Sequence, residues 1–435
     1  MSAPAVRRRE IFSWCMYDFA NSAFTTLIVT FIFSAYFMQV IVGDEVRGTV
    51  LWTRAVNISA IIVALTMPVL GAIADFSRRK KRFLLLATLQ TLVFTTLLFF
   101  MQPGMVVLAV VLFVFANVAY EGGQAFYNAF LPEISTPRNM GRISGYGWAL
   151  GYVGGLAALG IALWMMGALP ENGHLNVRAT ILLVAIWFAV FSIPTFLFLR
   201  ERGIAREVEP GTYVREGFRR VAETFRYLRR YREAAKVLLA RLVYNDGLVT
   251  IFALAGIYSI AVFDFTIEEV IRLGIVANVA AGLGAFGFGF VNDWIGGKRT
   301  IAITLVVLTF SAILGATAET RTGFWIAAIV ISFMVGPTQS ASRTLLGSMT
   351  PEAKHAEFFG FYAFSGKLSS IFGPLLFGTV VGVTGSHRLA MGSMVVFFVV
   401  GFVLLMLVDE KAGIAAVRSG EEGTPPGPEP RIPAE

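Results

Sequence analysis

Charged residues are scarce in this sequence, and their scarcity excludes most classes of soluble protein. Only 15% of its 435 residues are Asp, Glu, Lys or Arg, against about 25% in an ordinary soluble domain. So few charges cannot cover the surface of a soluble protein of this length. We therefore exclude a secreted enzyme, a nucleic-acid-binding protein and a disordered scaffold, although the net charge of +8 resembles that of a DNA-binding protein.

Cysteine and histidine, the residues of many metal and catalytic sites, are also rare. The one cysteine, Cys15, permits neither an internal disulfide nor a cysteine metal site. The three histidines, His174, His355 and His387, fall in predicted loops, so we expect no histidine-metal or histidine-base active site. The sequence contains no Gly-x-x-x-x-Gly-Lys-Ser/Thr motif, which argues against ATP hydrolysis. It thus predicts no cofactor, no metal and no enzymatic activity.

Hydrophobic residues make up 56% of the chain, or about 240 positions. Since a membrane-spanning helix needs about 20 apolar residues, they suffice for about twelve spans. The first six are predicted near 13–41, 53–74, 83–101, 106–130, 143–167 and 179–199. The second six are predicted near 237–262, 269–290, 300–318, 323–347, 357–383 and 389–408. The first run is too long for a signal peptide and lacks a cleavage site, so we expect it to remain as a membrane helix.

The longest polar stretch divides the spans into two groups of six. We predict a tail (1–12), a bundle (13–199), a linker (200–236), a second bundle (237–408) and a disordered tail (409–435). Of 36 Lys and Arg residues, only six lie in loops on the side opposite the N-terminus. Because basic residues accumulate on the cytoplasmic side, we expect a cell-membrane protein with both termini in the cytoplasm.

The linker contains an amphipathic pattern. Phe218, Val221, Phe225 and Leu228 are spaced three, four and three residues apart among several arginines. This spacing predicts a helix that lies on the cytoplasmic membrane surface. Its role stays open between a solvated linker that only fixes topology and a regulatory element.

Short motifs recur between the two halves in the same order. Predicted helix 4 contains four polar residues spaced four, three and four apart: Asn117, Glu121, Gln124 and Asn128. The same spacing occurs 215 residues later, at Ser332, Gly336, Gln339 and Arg343. Gly71 and Asp75 recur as Gly289 and Asp293 at an offset of 218. Such matches predict duplicated six-helix units, which in alternating-access transporters face each other across a site near the membrane midplane.

The pattern Gly71-x-x-x-Asp75, followed by the basic residues 78–82, resembles the loop 2–3 signature of the major facilitator superfamily. Arg78 stands where that signature has a glycine, whereas the second copy keeps Gly296. The resemblance implies an all-α membrane protein with twelve transmembrane helices in two pseudo-symmetric six-helix bundles, the major facilitator fold. It further implies a secondary transporter in which Asp75 and Asp293 form a latch that stabilises the outward-open state.

Three longer strings resemble one group within that superfamily. They are YDFANSAF at 17–24, FYNAFLPE at 126–133 and GPTQSASR at 336–343. They resemble the "unknown major facilitator" subfamily, which is similar to the fungal vacuolar amino-acid effluxers linked to autophagy. This resemblance implies an amino-acid-like substrate.

The gating loops are predicted from the two signature copies. Their residues are Gly71, Asp75, Arg79, Lys80, Gly289, Asp293, Lys298 and Arg299. The two carboxylates end helices and can accept N–H bonds from a neighbouring helix N-terminus, where the helix dipole favours an anion. We expect Arg79, Lys80 and Lys81 to hold their loop against anionic lipid headgroups.

Six ionisable residues fall well inside the predicted spans, away from their first and last turns: Asp18, Glu121, Arg241, Asp246, Arg343 and Lys367. Each costs about 2.5–3.5 kcal/mol at a helix centre on insertion scales, so they must pair, neutralise or face a water-filled cavity. A hydrated cavity with both signs suits a zwitterion, or an anion together with protons. The predicted binding and coupling residues are Asp18, Asn21, Glu121, Gln124, Tyr127, Asn128, Arg241, Tyr244, Asn245, Asp246, Gln339, Arg343 and Lys367.

Two of these charges lie near the membrane midplane and leave alternatives open. Glu121 is either a coupling or substrate carboxylate or a structural partner between helices. Lys367 either anchors a substrate anion or pairs with Glu121 or Asp246.

The other charges leave alternatives as well. Asp18 lies near the cytoplasmic end of its helix. It is a candidate for a helix cap, for part of a gate or for a contact with the substrate. Arg241 and Asp246 are candidates for a salt bridge between helices that closes one side. Arg343 either acts in the cavity or only reaches lipid headgroups by snorkelling.

The sequence therefore predicts a secondary transporter that rocks two bundles around a central polar cavity. Glu121 would exchange protons, while Lys367 or Arg241 would hold an anionic group of a small solute. The expected partners are that solute, protons or another coupling ion, and membrane lipids, and we expect a monomer. The alternatives are a channel, a non-transporting receptor and a membrane-embedded enzyme that acts on lipids.

Overall fold

The computed structural model describes residues 6–202, 213–226 and 231–422. In these ranges, twelve helices are long and apolar enough to cross a membrane, which confirms the predicted number. The first six, α1 to α6, are Arg8–Val42, Val46–Ser77, Lys80–Leu98, Val106–Ile134, Met140–Ala168 and Asn172–Phe198. The second six, α7 to α12, are Arg232–Phe263, Glu269–Ile295, Gly297–Thr317, Arg321–Ser348, Glu352–Thr384 and His387–Met406.

The spans α1 and α11 depart from regular α-helical geometry. α1 contains π-helical stretches at Phe24–Phe31 and Phe37–Val42, and π-helical turns are frequent at functional sites. α11, predicted as one continuous helix, is divided into His355–Leu368 (α11a) and Phe372–Thr384 (α11b). Pro374 lacks the N–H that would continue the hydrogen-bond ladder across this point.

The duplication in the sequence reappears as equivalent packing in the two halves. α2 packs along α11a, and α5 packs along α8. A Cβ atom at Gly360 would lie 2.6 Å from the Met67 carbonyl oxygen, and one at Gly145 would lie 2.4 Å from that of Ala285. Gly360 follows Gly145 by 215 residues, and Ala285 follows Met67 by 218 residues. These are the offsets that relate the repeated motifs in the sequence. The two interfaces are therefore related by an approximate two-fold axis.

Because the number of spans is even, α1 begins and α12 ends on the same face of the molecule. We call this the terminal face and the opposite one the far face. The C-terminal helix Glu410–Glu422 lies at the terminal face, where Glu410 Oε1 accepts the N–H of Gly297 at 3.1 Å. Burial raises the pKa of Glu410. This helix lies within the tail predicted to be disordered, so that prediction is wrong for residues 410–422.

The linker contains a helix at Tyr213–Arg226, as the apolar spacing predicts. It packs against the terminal-face end of α2, where Gly217 and Val221 contact the cluster of Val69, Ile73 and Phe76. Part of the apolar stripe of this helix thus packs against α2, while Phe218 of the same stripe is exposed. Leu228, also part of the predicted stripe, lies outside the described residues.

Candidate substrate cavity and gates

The two predicted latch carboxylates cross the interface between the bundles in equivalent ways. Asp75 Oδ2 accepts the N–H of Glu357 at 2.8 Å, at the start of α11a. Asp293 Oδ1 accepts the N–H of Gly141 at 2.7 Å, at the start of α5. Each carboxylate thus binds unpaired N–H groups at the positive end of a helix dipole. Together they join α2 to α11 and α8 to α5 at the terminal face.

The glycines of the two signatures allow this close approach. A Cβ atom at Gly71 would lie 2.2 Å from the Ala356 carbonyl oxygen, and one at Gly289 would lie 2.9 Å from Arg142 Cα. Real Cβ atoms do not come so near to backbone, so a larger residue at either position must separate the helices.

We expect Gly71→Ala to open the terminal face. The added methyl clashes with the backbone of α11a, so a cysteine at the buried bundle interface should react faster with a thiol reagent. The measurement is the labelling rate of Ser340→Cys in a Cys15→Ser background, with an expected increase of at least fivefold. Gly287→Ala is the matched control, because a Cβ there meets nothing within 4 Å. Equal labelling in both variants would contradict the proposed packing.

The basic residues of the first signature do not act together as expected. Lys80 is fully buried, lies 3.5 Å from Asp75 and forms an ion pair with Glu133. Its expected contact with lipid headgroups is therefore wrong, since the first turn of α3 directs this side chain into the protein. Lys81 Nζ donates to the Leu199 carbonyl at 2.6 Å, whereas Arg79 is exposed.

The second signature differs in its basic residues. Lys298 Nζ donates to the carbonyls of Met406 at 3.0 Å and Val408 at 2.6 Å, and Arg299 is exposed. Arg78, which replaces the signature glycine of the first copy, has a φ of 50°. The turn therefore keeps the left-handed conformation that a glycine adopts easily, at a cost of about 1–2 kcal/mol for a residue with a Cβ.

Arg343 and Asp18 form a buried ion pair between α10 and α1. Their Nη1 and Oδ2 atoms lie 3.4 Å apart, and Tyr127 donates to the same carboxylate oxygen at 2.9 Å. Arg343 is only 3% exposed. It donates from Nη1 to Asn128 Oδ1 at 3.0 Å and from Nε to Ser144 Oγ at 3.0 Å. Snorkelling of Arg343 to the headgroups is therefore wrong, and Asp18 lies at the interface between the bundles.

A polar cavity of about 380 Å³ lies between the bundles, on the far-face side of this pair. Eight of the thirteen predicted binding and coupling residues line it: Asp18, Asn21, Glu121, Gln124, Asn128, Arg241, Gln339 and Arg343. Two neighbouring cavities of about 320 and 460 Å³ share Thr26 and Asn278 with it. The first of these reaches His174 and the exposed Gln39 at the far face. The structure thus describes a cavity that is closed at the terminal face and extends toward the far face.

Glu121, which lines the cavity, forms an ion pair with Lys367 and thereby joins α4 of the first half to α11a of the second. Their side chains are 21% and 25% exposed, against 12% and 3% for Asp18 and Arg343, so this pair is the less buried of the two. Pairing with Glu121 was one of the two alternatives for Lys367, and it is the one that this conformation adopts.

Arg241 also lines the cavity, but its contacts are of another kind. Its guanidinium stacks 3.5 Å above the ring of Tyr362. It donates to the Tyr362 carbonyl at 3.0 Å and to Ser365 Oγ at 2.9 Å. Among the described residues, no carboxylate lies within salt-bridge distance of Arg241. It is a cation held in place by neutral groups.

The predicted salt bridge between Arg241 and Asp246 is therefore wrong. Residues five apart on one helix point about 140° away from each other, so the two side chains meet different neighbours. Asp246 faces the break in α11, where its carboxylate accepts the N–H groups of Phe372 at 3.0 Å and Gly373 at 2.7 Å.

Three other predicted residues stabilise the walls of the cavity. Asn245 donates to Ser369 Oγ at 2.5 Å and accepts from Gln339 at 2.6 Å. Tyr244 is buried with its hydroxyl 2.6 Å from Ser342 Oγ. Tyr127 is buried and stacks on Trp14. Tyr127, Tyr244 and Asn245 are thus wall residues that contact the lining groups.

Four aromatic residues that line the cavity are absent from the predicted binding and coupling residues. Tyr120, Trp148, Tyr152 and Tyr362 line the cavity. Tyr120 also accepts a hydrogen bond from Thr25 at 2.6 Å in the π-helical stretch of α1. Aromatic residues are so common in membrane helices that their positions alone do not separate lining from packing. Their spacing relative to the polar stripes, such as Tyr120 beside Glu121, was the available signal.

The fold and this cavity define the class of the protein. Two pseudo-symmetric six-helix bundles around a central polar cavity, joined by equivalent helix-end carboxylates, constitute a multi-pass membrane transporter of the major facilitator type. Residues 41–418 match the model of the family described as "Vacuole effluxer Atg22 like", and the chain belongs to this family. The predicted resemblance is thereby confirmed.

Individual relatives agree with this assignment. The uncharacterized MFS-type transporter YxiO of Bacillus subtilis is 28% identical over 92% of this chain and 94% of its own length. Autophagy-related protein 22 of Yarrowia lipolytica is 24% identical over 68% of this chain, which spans 55% of that protein. The fucose:proton symporter FucP of E. coli has the same fold, with a TM-score of 0.74 at 12% identity over 92% of this chain and 98% of its own.

Proposed function

We propose that this transporter is a secondary carrier of a small anionic or zwitterionic solute, such as an amino acid, and works by alternating access. The observation that carries the proposal is Arg241, a cation in the cavity wall with no carboxylate partner among the described residues. An anionic group of the solute would supply that partner. Arginine suits this role because its planar guanidinium can donate two parallel hydrogen bonds to a carboxylate.

The gates support the alternating-access part of the proposal. The Asp18–Arg343 pair and the Asp75 and Asp293 contacts all join one half to the other on the terminal-face side of the cavity. They would have to break for the solute to leave toward the terminal face. Glu121 and Lys367 also join the halves, and Glu121 lines the cavity.

We propose protons as the coupling ion. Protonation of Glu121 would remove the charge that binds Lys367, and thereby weaken a contact between the halves. A proton taken up at one face and released at the other would then be linked to the movement of the bundles. We further propose a monomer in the cell membrane with cytoplasmic termini, for which the distribution of Lys and Arg is the support.

The test is a binding screen of the purified protein by thermal shift against amino acids, organic acids, nucleosides and sugars. For the solute that binds, we expect Arg241→Gln to raise the Kd about 10- to 100-fold, the equivalent of about 1.5–3 kcal/mol for a charged hydrogen bond. Arg241→Lys should raise the Kd by a smaller factor, because the positive charge remains. Arg8→Gln, the same change at an exposed position outside the cavity and the predicted gating loops, should leave the Kd unchanged.

Flux in proteoliposomes separates the remaining alternatives. Saturable transport that follows a proton gradient supports the carrier. Unsaturable flux indicates a channel, and binding without flux of any solute indicates a receptor. An unchanged Kd in Arg241→Gln refutes the assignment of the anion to Arg241.

A further inference from the structure

The break in α11 lies at the level of the cavity and next to one of its charges. α11a ends at Leu368, directly after Lys367, and α11b begins at Phe372. A break of this kind leaves N–H groups of the second segment without helical partners, which is costly inside a membrane. Something must therefore satisfy them.

Asp246 of α7 satisfies two of these groups. Its oxygens accept the N–H groups of Phe372 and Gly373, and the side chain is almost completely buried. Such a carboxylate also interacts favourably with the positive end of the α11b dipole. The charge that could have neutralised Arg241, five residues earlier on the same helix, is thus bound to the end of another helix.

Neighbouring contacts hold α7 against the same break. Asn245 donates to Ser369 Oγ at 2.5 Å. A Cβ atom at Gly373 would lie 2.0 Å from Thr250 Oγ1, so side chains of α7 lie directly against the backbone of α11b there. The adjacent side chains of Asn245 and Asp246 thus bind the two sides of the break. Lys367 lies two residues before Ser369, the first of the residues they bind.

The two segments of α11 differ in how they pack. α11a packs along α2 of the other half, whereas α11b contacts α7 and the start of α12. Within α11b only Gly373 and Phe377 are buried. The position of α11b relative to α11a therefore depends on its contacts with α7, which include those of Asp246, and with the start of α12.

We propose that Asp246 is a positioning residue that fixes the break in α11, and thereby places Lys367 opposite Glu121 while it leaves Arg241 available for the solute. The proposal deepens the proposed function and rests on it for the roles of Lys367 and Arg241. The geometric part concerns the placement of Lys367 alone and is tested without transport.

The test measures how rapidly a short bifunctional thiol reagent joins Glu121→Cys to Lys367→Cys in a Cys15→Ser background. We expect Asp246→Asn to reduce this rate at least fivefold, because the amide has no charge and only one acceptor for two N–H groups. Asp246→Glu, which keeps the charge, should restore part of the rate. Asp264→Asn, which removes a carboxylate from the far-face end of α7, is the matched control and should leave the rate unchanged.

If Asp246→Asn does not fold, Ser369→Ala removes the adjacent bond from Asn245 and retains the carboxylate. Ser369→Ala should also lower the cross-linking rate, but by a smaller factor. An unchanged rate in whichever of these two variants folds overturns the proposal. Since cross-linking needs no solute, failure of the carrier hypothesis would appear as absent transport with cross-linking still sensitive to Asp246.

Solute binding supplies a second measurement. With Asp246→Asn, the Kd at Arg241 should change less than twofold while the maximal transport rate falls at least tenfold. A general loss of structure would instead weaken binding and transport together. Equal losses in both quantities would therefore contradict a positioning role.

Discussion

Replacing Arg343 with Gln is expected to abolish net transport and to lower the stability of the conformation closed at the terminal face. The change leaves Asp18 buried without its cation, and also removes the donors to Asn128 and Ser144. Removing one partner of a buried ion pair typically costs about 3–5 kcal/mol. We expect a clear fall in the unfolding temperature in detergent, and at least a tenfold increase in thiol labelling of a cysteine at Ser340.

The double variant Asp18→Asn with Arg343→Gln is the control for this prediction. Both charges are then absent, so no buried charge is left unpaired, and much of the stability should return. Transport should remain impaired, because the charge-assisted contact between α1 and α10 is lost. If Arg343→Gln alone keeps the unfolding temperature and the labelling rate of the parent, Asp18 and Arg343 do not hold the gate.

Glu121→Gln is expected to abolish proton-driven accumulation while solute exchange continues. The amide keeps the size of the side chain and can still accept a hydrogen bond from Lys367, but it cannot take up or release a proton. In proteoliposomes, accumulation under an imposed pH gradient should fall at least tenfold. Counterflow of labelled against unlabelled solute at equal pH should stay within about threefold of the parent.

Gln124→Ala provides the comparison, since Gln124 lines the same cavity one turn away and is not ionisable. Gln124→Ala should change the affinity for the solute, while accumulation of the solute should still depend on the pH gradient. Unaltered accumulation in Glu121→Gln would refute Glu121 as the proton-carrying group. The other cavity carboxylate, Asp18, would then be the next group to test.

Some of the candidate site was predictable because it depends on the repeat. The offset of 215 residues relates Asn128 to Arg343, and the structure places these two side chains in contact at 3.0 Å. Equivalent residues of a two-fold repeat meet when they lie close to its axis. The latch residues follow the same logic, since Asp75 binds α11a and Asp293 binds the equivalent end of α5.

Charge partners were not predictable in the same way. Arg241 and Asp246 lie five residues apart, yet they face Tyr362 and the end of α11b respectively. Lys80 appeared in a basic cluster typical of a membrane surface, yet it pairs with Glu133. A charge selects its partner by distance and direction in space, and hydropathy along the chain contains neither.

The sequence by itself determined the twelve spans, the duplication and the polarity of the interior, because a bilayer requires about 20 apolar residues for each span and makes every buried charge conspicuous. Only the tertiary structure decided which charges neutralise each other. Asp18 meets Arg343 across 325 residues of chain, Glu121 meets Lys367 across 246, and Arg241 is left with neutral neighbours. The physical reason is that helix packing sets these contacts, and packing depends on the relative rotation and depth of helices from both halves.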